Sequence, residues 1–457
     1  MSWTFHPSLA NTMTSSYWRK LFYAFGMFGV TLSYQAFTGW IQFYYLDILR
    51  LAPAAMSVAW TLFTLWNMVN DPIAGQLSDN TRTRWGRRIP WIAALSIPLG
   101  ISFYLLWAVP AGLVGESATL FSGLWWYFLA VLLLFDTLWS TVVLNYVSLF
   151  PEMYPKQSDR ASVSGWRQVF AIVALILAIV LTKEIAESRG WAKMGMLFGG
   201  MTVLAFLVSL LGNREDPANH AQELTVPFLR ALRYTLTNRS FLWFVFMNLM
   251  VEFSLLVLPA VVPLYAKYVL GVTEGLQQGL LSGAAFLTAI PAFALWSWVV
   301  KRWETRQAII VSMIAFGALL LPLLFVQSYS QAIMVTSTLG IGLAGLLMLR
   351  DIMLADVIDE DSVAAGTRRE GMYFGINGFI IRLAFAFQGT MLGGMLALTG
   401  YNPILETQPP NVALGLRILI TLAPMTAMLV GIFAVWKYPL HGRRLIDVKT
   451  QLGSLEM

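Results

Sequence analysis

The chain contains no cysteine and few charged residues. The absence of Cys from its 457 residues excludes disulfides, thiolate metal sites and cysteine nucleophiles. Charged residues make up 12% of the chain, against about 25% in a typical soluble protein. Three histidines are present, and His6, His220 and His441 all lie outside the apolar runs, which disfavours an intramembrane enzyme. We expect no enzymatic activity, no cofactor and no metal site.

Apolar residues are abundant: 58% of the chain is hydrophobic and the mean hydropathy is +0.66. Apolar runs of about 20 residues, each long enough to cross the bilayer as a helix, recur about twelve times between Trp18 and Pro439. A helix satisfies its own backbone in lipid, and the alternating pattern of a membrane barrel is not seen. The sequence therefore predicts an all-α membrane protein with twelve transmembrane helices. The first run is too long for a signal peptide and is expected to be retained.

The basic residues collect in short loops between the apolar runs. A net charge of +6 therefore needs no nucleic acid to explain it. With the amino terminus inside, the inner loops receive most Lys and Arg, including Arg19, Lys20 and Arg350, whereas Lys267 falls outside, as the positive-inside rule predicts. We expect an integral protein of the plasma (inner) membrane with both termini cytoplasmic. The expected partners are the lipid bilayer and a small-molecule substrate, and the expected state is monomeric.

The longest polar interruption, Gly212 to Ser240, separates six predicted helices from six. Transporters built from two parallel repeats have this organisation and bind substrate between the halves. The predicted organisation is an amino-terminal six-helix bundle over 1–212, a cytoplasmic linker over 213–240, a carboxy-terminal six-helix bundle over 241–439, and a cytoplasmic tail over 440–457.

Five ionisable residues lie well inside apolar runs, where each costs about 2.5 to 3.5 kcal/mol. They are Asp71, Asp136, Arg167, Glu252 and Arg382. Three acids against two bases leave one negative charge, which a bound cation or a proton would neutralise. Structural alternatives are a local helix cap at Asp71, an ion pair between Asp136 and Arg167, and a structural hydrogen bond at Glu252.

The stretch from Thr64 to Pro90 is the most informative part of the chain. On a helix, Asn67 and Asp71 share one face with Thr64, and Asn70 lies beside them. We predict that this face exchanges a coupling ion, with Arg382 and Glu252 as further members. The loop that follows carries a charged set expected to hold contacts between the halves: Asp79, Arg82, Arg87 and Arg88. The alternative is that these charges only set the topology.

A second polar stripe lies in the first apolar run. Thr31, Gln35, Thr38 and Gln42 recur at spacings of four, three and four residues, with Tyr34 beside them. We predict that Thr31, Tyr34, Gln35 and Thr38 bind the substrate. Further predicted substrate-binding residues are Asp136, Trp139 and Arg167. The alternative is that the stripe joins helices to each other.

Several motifs together resemble a known family. They are FYAFGMFG and FYYLD in the first run, NDPIAGQLSDNTRTRWGRRIPW across the second, FDTLW in the fourth, and the predicted links PEMYPKQSDR and ADVIDEDSVAAGTRRE, the latter continuing as GMYFGI. The chain resembles the glycoside-pentoside-hexuronide cation symporters, the melibiose permease branch of the major facilitator superfamily. The resemblance implies two six-helix bundles in the major facilitator fold.

The resemblance also implies roles for particular residues. Asp71 matches a cation-site acid, and Asp136 and Arg167 match sugar-binding positions. Three positions depart from the pattern, since Asn67 replaces a second cation-site acid, Thr31 replaces a sugar-binding acid, and Arg382 replaces a lysine. One carboxylate fewer weakens a Na⁺ site, because hard cations prefer charged oxygens.

The predicted function is symport of a sugar or glycoside by alternating access, coupled to H⁺ in preference to Na⁺. One alternative is an amphipathic substrate such as a lysophospholipid, because RKLFYAFG and YYLD also resemble eukaryotic lysolipid symporters. A second is an uncoupled facilitator of the same fold, if Asp71 is permanently paired with Arg382. A receptor that binds without transporting is a third. A channel is disfavoured, because no repeated selectivity filter is present.

Overall fold

The computed structural model describes residues 8–115, 118–154, 157–213, 215, 235, 237–365, 370–405 and 407–455. These residues are largely helical, with two isolated β-bridges and no strand among them. The predicted all-α class is confirmed.

Twelve long helices occur within the described residues: α1 Ser8–Phe43, α2 Pro53–Asn80, α3 Ile89–Trp107, α4 Gly123–Met153, α5 Gln157–Ile176, α6 Trp191–Leu210, α7 Arg239–Tyr268, α8 Gly275–Val300, α9 Thr305–Leu320, α10 Tyr329–Ala365, α11 Glu370–Leu398 and α12 Pro410–Lys437. α5 continues through the π-helical turn Leu177–Leu181 into Thr182–Arg189, and a second π-helical turn, Tyr44–Ile48, ends α1. A short helix, α13 Arg443–Leu455, follows α12.

Among the described residues, ten helices are long and apolar enough to cross a membrane. α1 and α2 are as long but more polar, because α1 carries the predicted stripe and α2 carries Asn67, Asn70 and Asp71.

One predicted link is wrong in its first part. α10 continues to Ala365, so the predicted link ADVIDEDSVAAGTRRE begins as helix. The cause is tertiary pairing, since Lys449 of α13 lies 2.7 Å from Asp356 and 2.8 Å from Asp359 on α10. The helix α13 lies within the predicted tail 440–457, whose cytoplasmic location stays a prediction. The predicted linker 213–240 lies mostly outside the described residues.

The chain divides into two compact units. Unit 1 comprises Met1–Ile41, Leu65–Val114 and Gly123–Glu223, and unit 2 comprises Gln42–Thr64, Gly115–Ser122 and Leu224–Met457. In unit 1, α3 packs on α4 and α6, and its Gly100 meets Gly199 of α6 so closely that a Cβ at Gly199 would lie 2.7 Å from Gly100 O. In unit 2, α7 packs on α11 and α12, and α10 packs on α8 and α9. Small residues permit such close contact between membrane helices.

Candidate functional site

A buried carboxylate joins α2 to α4 in unit 1. Asp136 is 4% exposed, and its two carboxylate oxygens accept hydrogen bonds from the side-chain amides of Asn67 and Asn70. The Asn70 amide nitrogen lies 3.2 Å from Asp136 Oδ2 and 3.3 Å from its backbone oxygen. Beside this contact, Trp66 Nε1 donates to the Thr137 hydroxyl at 2.9 Å. Asn67 was predicted to belong to the ion site. In the structure it instead donates a hydrogen bond to Asp136, the acid predicted to bind the substrate.

An aromatic pair lies one turn along α4 from Asp136. Trp139 stacks on Tyr34 of α1 with ring centroids 4.5 Å apart and an interplanar angle of 24°. The Trp139 indole N–H is buried and has no hydrogen-bond partner among the described residues. A buried donor without an acceptor carries a desolvation cost that a bound hydroxyl would remove. α1 and α4 therefore bring a ring platform and a donor to the same region as Asp136.

The polar stripe of α1 serves two purposes. Thr31 and Gln35 are half-buried and form no hydrogen bond to another described residue. The Thr38 hydroxyl donates to Tyr34 O of its own helix at 3.0 Å. Gln42 instead exchanges amide hydrogen bonds with another helix. Its helix-joining role matches the alternative interpretation, whereas Thr31 and Gln35 keep free polar groups.

Within unit 1, Arg167 lies far from Asp136 along the axis of α4. Its guanidinium carbon is 4.8 Å from the centroid of Phe150 and 5.7 Å from that of Tyr146, and Nη2 contacts Met27 Sδ at 3.7 Å. Tyr146 and Phe150 follow Asp136 on α4 by ten and fourteen residues, which corresponds to about 15 to 21 Å along the helix. Asp136 and Arg167 form no ion pair in the described part of the chain. The structural ion pair considered for these two residues is therefore wrong.

The predicted coupling residues fall in both units. Asp71 follows Asn67 by one turn of α2 and is half-buried in unit 1. Thr64 is buried, and its hydroxyl donates to Trp60 O of the same helix at 3.0 Å. Arg382 is half-buried in α11 and belongs to unit 2. The pairing of Asp71 with Arg382 stays a prediction.

Glu252 of α7 pairs with a cation that the sequence assigned to a loop. Arg350 lies within α10, and its guanidinium contacts the Glu252 carboxylate. The loop assignment of Arg350 is therefore wrong, because α10 is longer than predicted. One turn before Glu252, the Asn248 amide donates to Asn377 Oδ1 of α11 at 3.0 Å. Glu252 thus has a structural partner inside unit 2, and a coupling role stays a prediction.

Arg87 and Arg88 both contact acids of unit 1. Arg87 Nη2 and Arg88 Nε each lie 2.8 Å from Glu152 Oε1 at the end of α4. The buried Glu215 carboxylate accepts the backbone N–H groups of Arg87 at 2.9 Å and Arg88 at 3.0 Å. These groups precede α3, where a helix leaves its first N–H groups unpaired and favours a negative charge. The loop is therefore fastened within its own unit.

Among the described side chains of this loop, Arg82 and Arg84 form no ion pair. Arg82 is exposed, and Arg84 lies over the Trp85 ring at 4.8 Å. The side chain of Asp79 lies outside the described residues. The proposed role of this loop in holding the halves together stays a prediction.

Sequence reasoning missed a buried acid at the end of α1. Asp47 lies in the π-helical turn, and its side chain is fully buried in unit 2. Lys267 Nζ of α7 lies 2.6 Å from Asp47 Oδ2, and the Tyr268 and Tyr401 hydroxyls both contact Asp47 Oδ1, Tyr401 at 3.2 Å. The sequence feature that could have indicated this pair is an acid, Asp47, at the end of the first apolar run and a base, Lys267, at the end of the seventh. We call these four residues the Asp47 cluster.

Neighbouring contacts extend the Asp47 cluster along α11. Gln42 and Gln388 exchange two amide hydrogen bonds, of 3.0 and 3.4 Å. The Thr61 and Thr390 hydroxyls lie 3.3 Å apart. Gly389 contacts the Trp60 ring so closely that no Cβ fits there. The segment Gln42–Thr64 is therefore held firmly on helices of unit 2.

The fold and its intramembrane polar site define an integral membrane transporter of the major facilitator fold. The chain belongs to the MFS/sugar transport protein family, whose model matches residues 22–442. It is 25% identical over 480 residues to the sodium-dependent lysophosphatidylcholine symporter 1 of Mus musculus, covering 95% of this chain and 88% of that protein.

Two further comparisons agree with this family. The chain is 21% identical over 402 residues to the isoprimeverose transporter of Lactiplantibacillus pentosus, covering 84% of this chain and 81% of that protein. A crystal structure of a mutant of the nucleoside transporter NupG matches with a TM-score of 0.68 at 11% identity, covering 92% of this chain and 99% of that one. At that identity the likeness shows the fold alone.

Proposed function

We propose that the protein is a proton-coupled symporter of a sugar or glycoside that works by alternating access. The observation that carries the proposal is the α2–α4 contact, in which Asp136 accepts from Asn67 and Asn70 beside the Tyr34–Trp139 stack. In this proposal residues 1–212 and 241–439 form the two moving bundles, joined by the cytoplasmic linker 213–240. The tail 440–457 and both termini lie in the cytoplasm, and the protein acts as a monomer in the plasma membrane.

The chemistry of this region suits a hydroxylated ring. A sugar presents an apolar ring face and several hydroxyls, each of which both donates and accepts hydrogen bonds. The Tyr34–Trp139 pair offers an aromatic face, while Gln35, Thr31 and the Trp139 indole offer polar groups without partners among the described residues. A few placed polar groups beside aromatic walls are typical of small-molecule sites. The isoprimeverose transporter among the relatives is consistent with such a substrate.

The coupling ion proposed is H⁺. Asn67 is an amide and therefore brings no charged oxygen to a cation at Asp71, and its amide nitrogen donates to Asp136. Na⁺ prefers several charged or carbonyl oxygens, whereas a proton needs a single carboxylate. Arg382 keeps its charge at all relevant pH values, so it does not carry the proton. Its proposed role is electrostatic, since its positive charge favours the ionised form of Asp71. Asp71 is the proposed proton carrier.

A second candidate is symport of an amphipathic substrate such as a lysophospholipid. The mouse relative named for that substrate aligns over 95% of this chain. Arg167 lies against the rings of Tyr146 and Phe150, and a cation on an aromatic surface suits a phosphate head beside an acyl chain. The distance of Arg167 from Asp136 along α4 favours separate roles for these residues.

The test is thermal stabilisation of the purified protein by a panel of glycosides and lysophospholipids, with and without Na⁺. A ligand at a hundredfold excess over its Kd stabilises the folded state by about 2.7 kcal/mol. We expect a glycoside to raise the melting temperature without Na⁺, and the variant Trp139→Ala to weaken its binding about tenfold, because a stacked ring is lost. Trp126→Ala is the matched control, since Trp126 is an exposed tryptophan of the same helix.

Two results would reject the sugar assignment. One is stabilisation by lysophospholipids alone, which selects the second candidate. The other is an equal loss of glycoside binding in Trp126→Ala and Trp139→Ala, which would separate binding from the aromatic pair.

A further inference from the structure

A surface of unit 2 carries two cations stacked on exposed aromatic rings. The Arg302 guanidinium carbon lies 4.0 Å from the centroid of Trp298. Lys437 Nζ lies 4.6 Å from the centroid of Trp436 and 5.8 Å from that of Phe433. We call these five residues the cation–aromatic patch. Stacking on a ring fixes a cation while leaving its hydrogen-bond donors free.

One half of the patch is Trp298 and Arg302, and the other is Phe433, Trp436 and Lys437. Arg306 connects the chain segments that carry them. Arg306, at the start of α9, donates from Nε to Val435 O at 3.1 Å and from Nη2 to Trp436 O at 2.7 Å. Arg306 lies four residues after Arg302, so the link between α8 and α9 is joined by hydrogen bonds to the last turn of α12. Arg306 thus links the segment that carries Arg302 to the end of α12 that carries Lys437.

The charge of this surface is not neutralised. In the part of the chain that the structure describes, neither Arg302 nor Lys437 forms an ion pair, and the exposed Glu304 of the same turn contacts neither. Two cations of α13 differ in this respect, since Arg444 lies 2.6 Å from Glu360 and Lys449 contacts two acids. The patch thus presents two free positive charges.

Exposed apolar strips lead from each helix into the patch. On α12 the strip is Leu429, Phe433 and Trp436, which are 58%, 51% and 62% exposed. On α8 it is Leu295 and Trp298, which are 48% and 50% exposed. In a membrane-spanning chain such strips face acyl chains, and tryptophan lies at the headgroup boundary. With tryptophan at that boundary, Arg302 and Lys437, which stack on Trp298 and Trp436, would reach the lipid phosphates.

We propose that the cation–aromatic patch binds the phosphate headgroup of an anionic phospholipid of the surrounding bilayer. The two cations complement the headgroup charge, and the exposed rings and leucines line the first part of the acyl chains. A zwitterionic lipid carries no net charge for the patch to neutralise. The inference concerns the lipid-facing surface and does not depend on which substrate the protein transports.

The experiment titrates phosphatidylglycerol into the purified protein in detergent and measures the melting temperature. A cation that contacts the bound anionic headgroup contributes about fivefold in affinity. The double variant Arg302→Gln/Lys437→Gln should therefore need about 25-fold more phosphatidylglycerol for half-maximal stabilisation. The charge-conserving variant Arg302→Lys/Lys437→Arg should bind as the parent does, which separates lost charge from faulty folding.

Lys301→Gln is the matched control, because Lys301 is an exposed neighbour of Arg302 that stacks on no described ring. We expect it to leave the titration unchanged within about twofold. An equal shift in Lys301→Gln would overturn the proposal, since it would show diffuse attraction. An unchanged titration in the double variant, equal stabilisation by phosphatidylcholine, or equal stabilisation by inorganic phosphate would also overturn it.

Discussion

Asp136 depends on two carboxamides for its place in the membrane. We predict that Asn70→Ala lowers the free energy of unfolding by about 1 to 3 kcal/mol, because one carboxylate oxygen loses its donor in a buried site. Substrate affinity should also fall, since Asp136 is free to turn away from its present position. The measurement is the melting temperature and ligand titration of the purified variant.

The control for Asn70 is another asparagine of α2. Asn80→Ala removes an exposed side chain at the end of the helix and should leave both measurements near the parent values. If Asn70→Ala behaved like Asn80→Ala, the amide contact would have no energetic importance.

Asp71 is proposed to carry the proton, so changing it should affect proton coupling without affecting substrate binding. Asp71→Asn should abolish accumulation driven by a pH gradient while retaining exchange of labelled for unlabelled substrate, because exchange needs no net proton movement. Both are measured in reconstituted vesicles. Accumulation by the variant at the parent level would remove Asp71 from the coupling mechanism.

Single residues could be predicted from the sequence, but their partners could not. Asp136 and Glu252 stand out because a charge inside an apolar run is costly. The contact of Asn67 with Asp136 depends on the axial register of α2 against α4, which tertiary packing sets. Arg167 looked like a partner for Asp136 because both are intramembrane charges, yet their levels on α4 differ.

At the scale of elements, the Asp47 cluster joins the end of α1 to α7 and to the segment after α11. Removing Lys267 leaves the buried Asp47 carboxylate with only the two tyrosine hydroxyls as donors. The cost is therefore lower than that of removing one member of a fully buried pair, which is about 3 to 5 kcal/mol. We predict that Lys267→Met loosens the segment Gln42–Thr64 from α11.

The absence of native cysteine makes this prediction directly measurable. Thr61→Cys and Thr390→Cys introduce the only two thiols, at positions whose hydroxyls lie 3.3 Å apart. Disulfide formation between them should slow when Lys267→Met is added, and should not change with Lys193→Met, an exposed lysine of unit 1. Equal rates in all three proteins would show that the Asp47 cluster does not hold these elements together.

The start of α3 gives a second prediction at this scale. Glu215→Gln should lower the free energy of unfolding by about 1 to 3 kcal/mol, because a buried, charge-assisted cap is lost. Asp159→Asn, which removes the partly exposed partner of Lys20, should cost no more than about 1 kcal/mol. Thermal unfolding of both variants is the measurement, and a larger loss from Asp159→Asn would contradict the capping role.

Helix positions could be predicted well, because about 20 apolar residues in a row permit few alternatives. The end of α10 could not, because its acidic last turns depend on Lys449 and Arg444 of α13. Nor could the π-helical turn that holds Asp47, since nothing local in YYLDI marks it.

At the scale of the whole molecule, the family and the fold establish a transporter, and the remaining question is what energy it uses. The polar groups of unit 1 support a hydroxylated substrate, and the loss of a carboxylate at Asn67 supports H⁺ over Na⁺. The first expectation rests on Asp136, which matches the family pattern, and the second rests on Asn67, which departs from it. Transport itself is the property that tests them together.

The most direct measurement is uptake into reconstituted vesicles of the glycoside that stabilises the protein, with an inward pH gradient and no Na⁺. The account predicts accumulation above the external concentration, collapsing when a protonophore removes the gradient. Accumulation that requires Na⁺, or mere equilibration whatever the gradient, would contradict it.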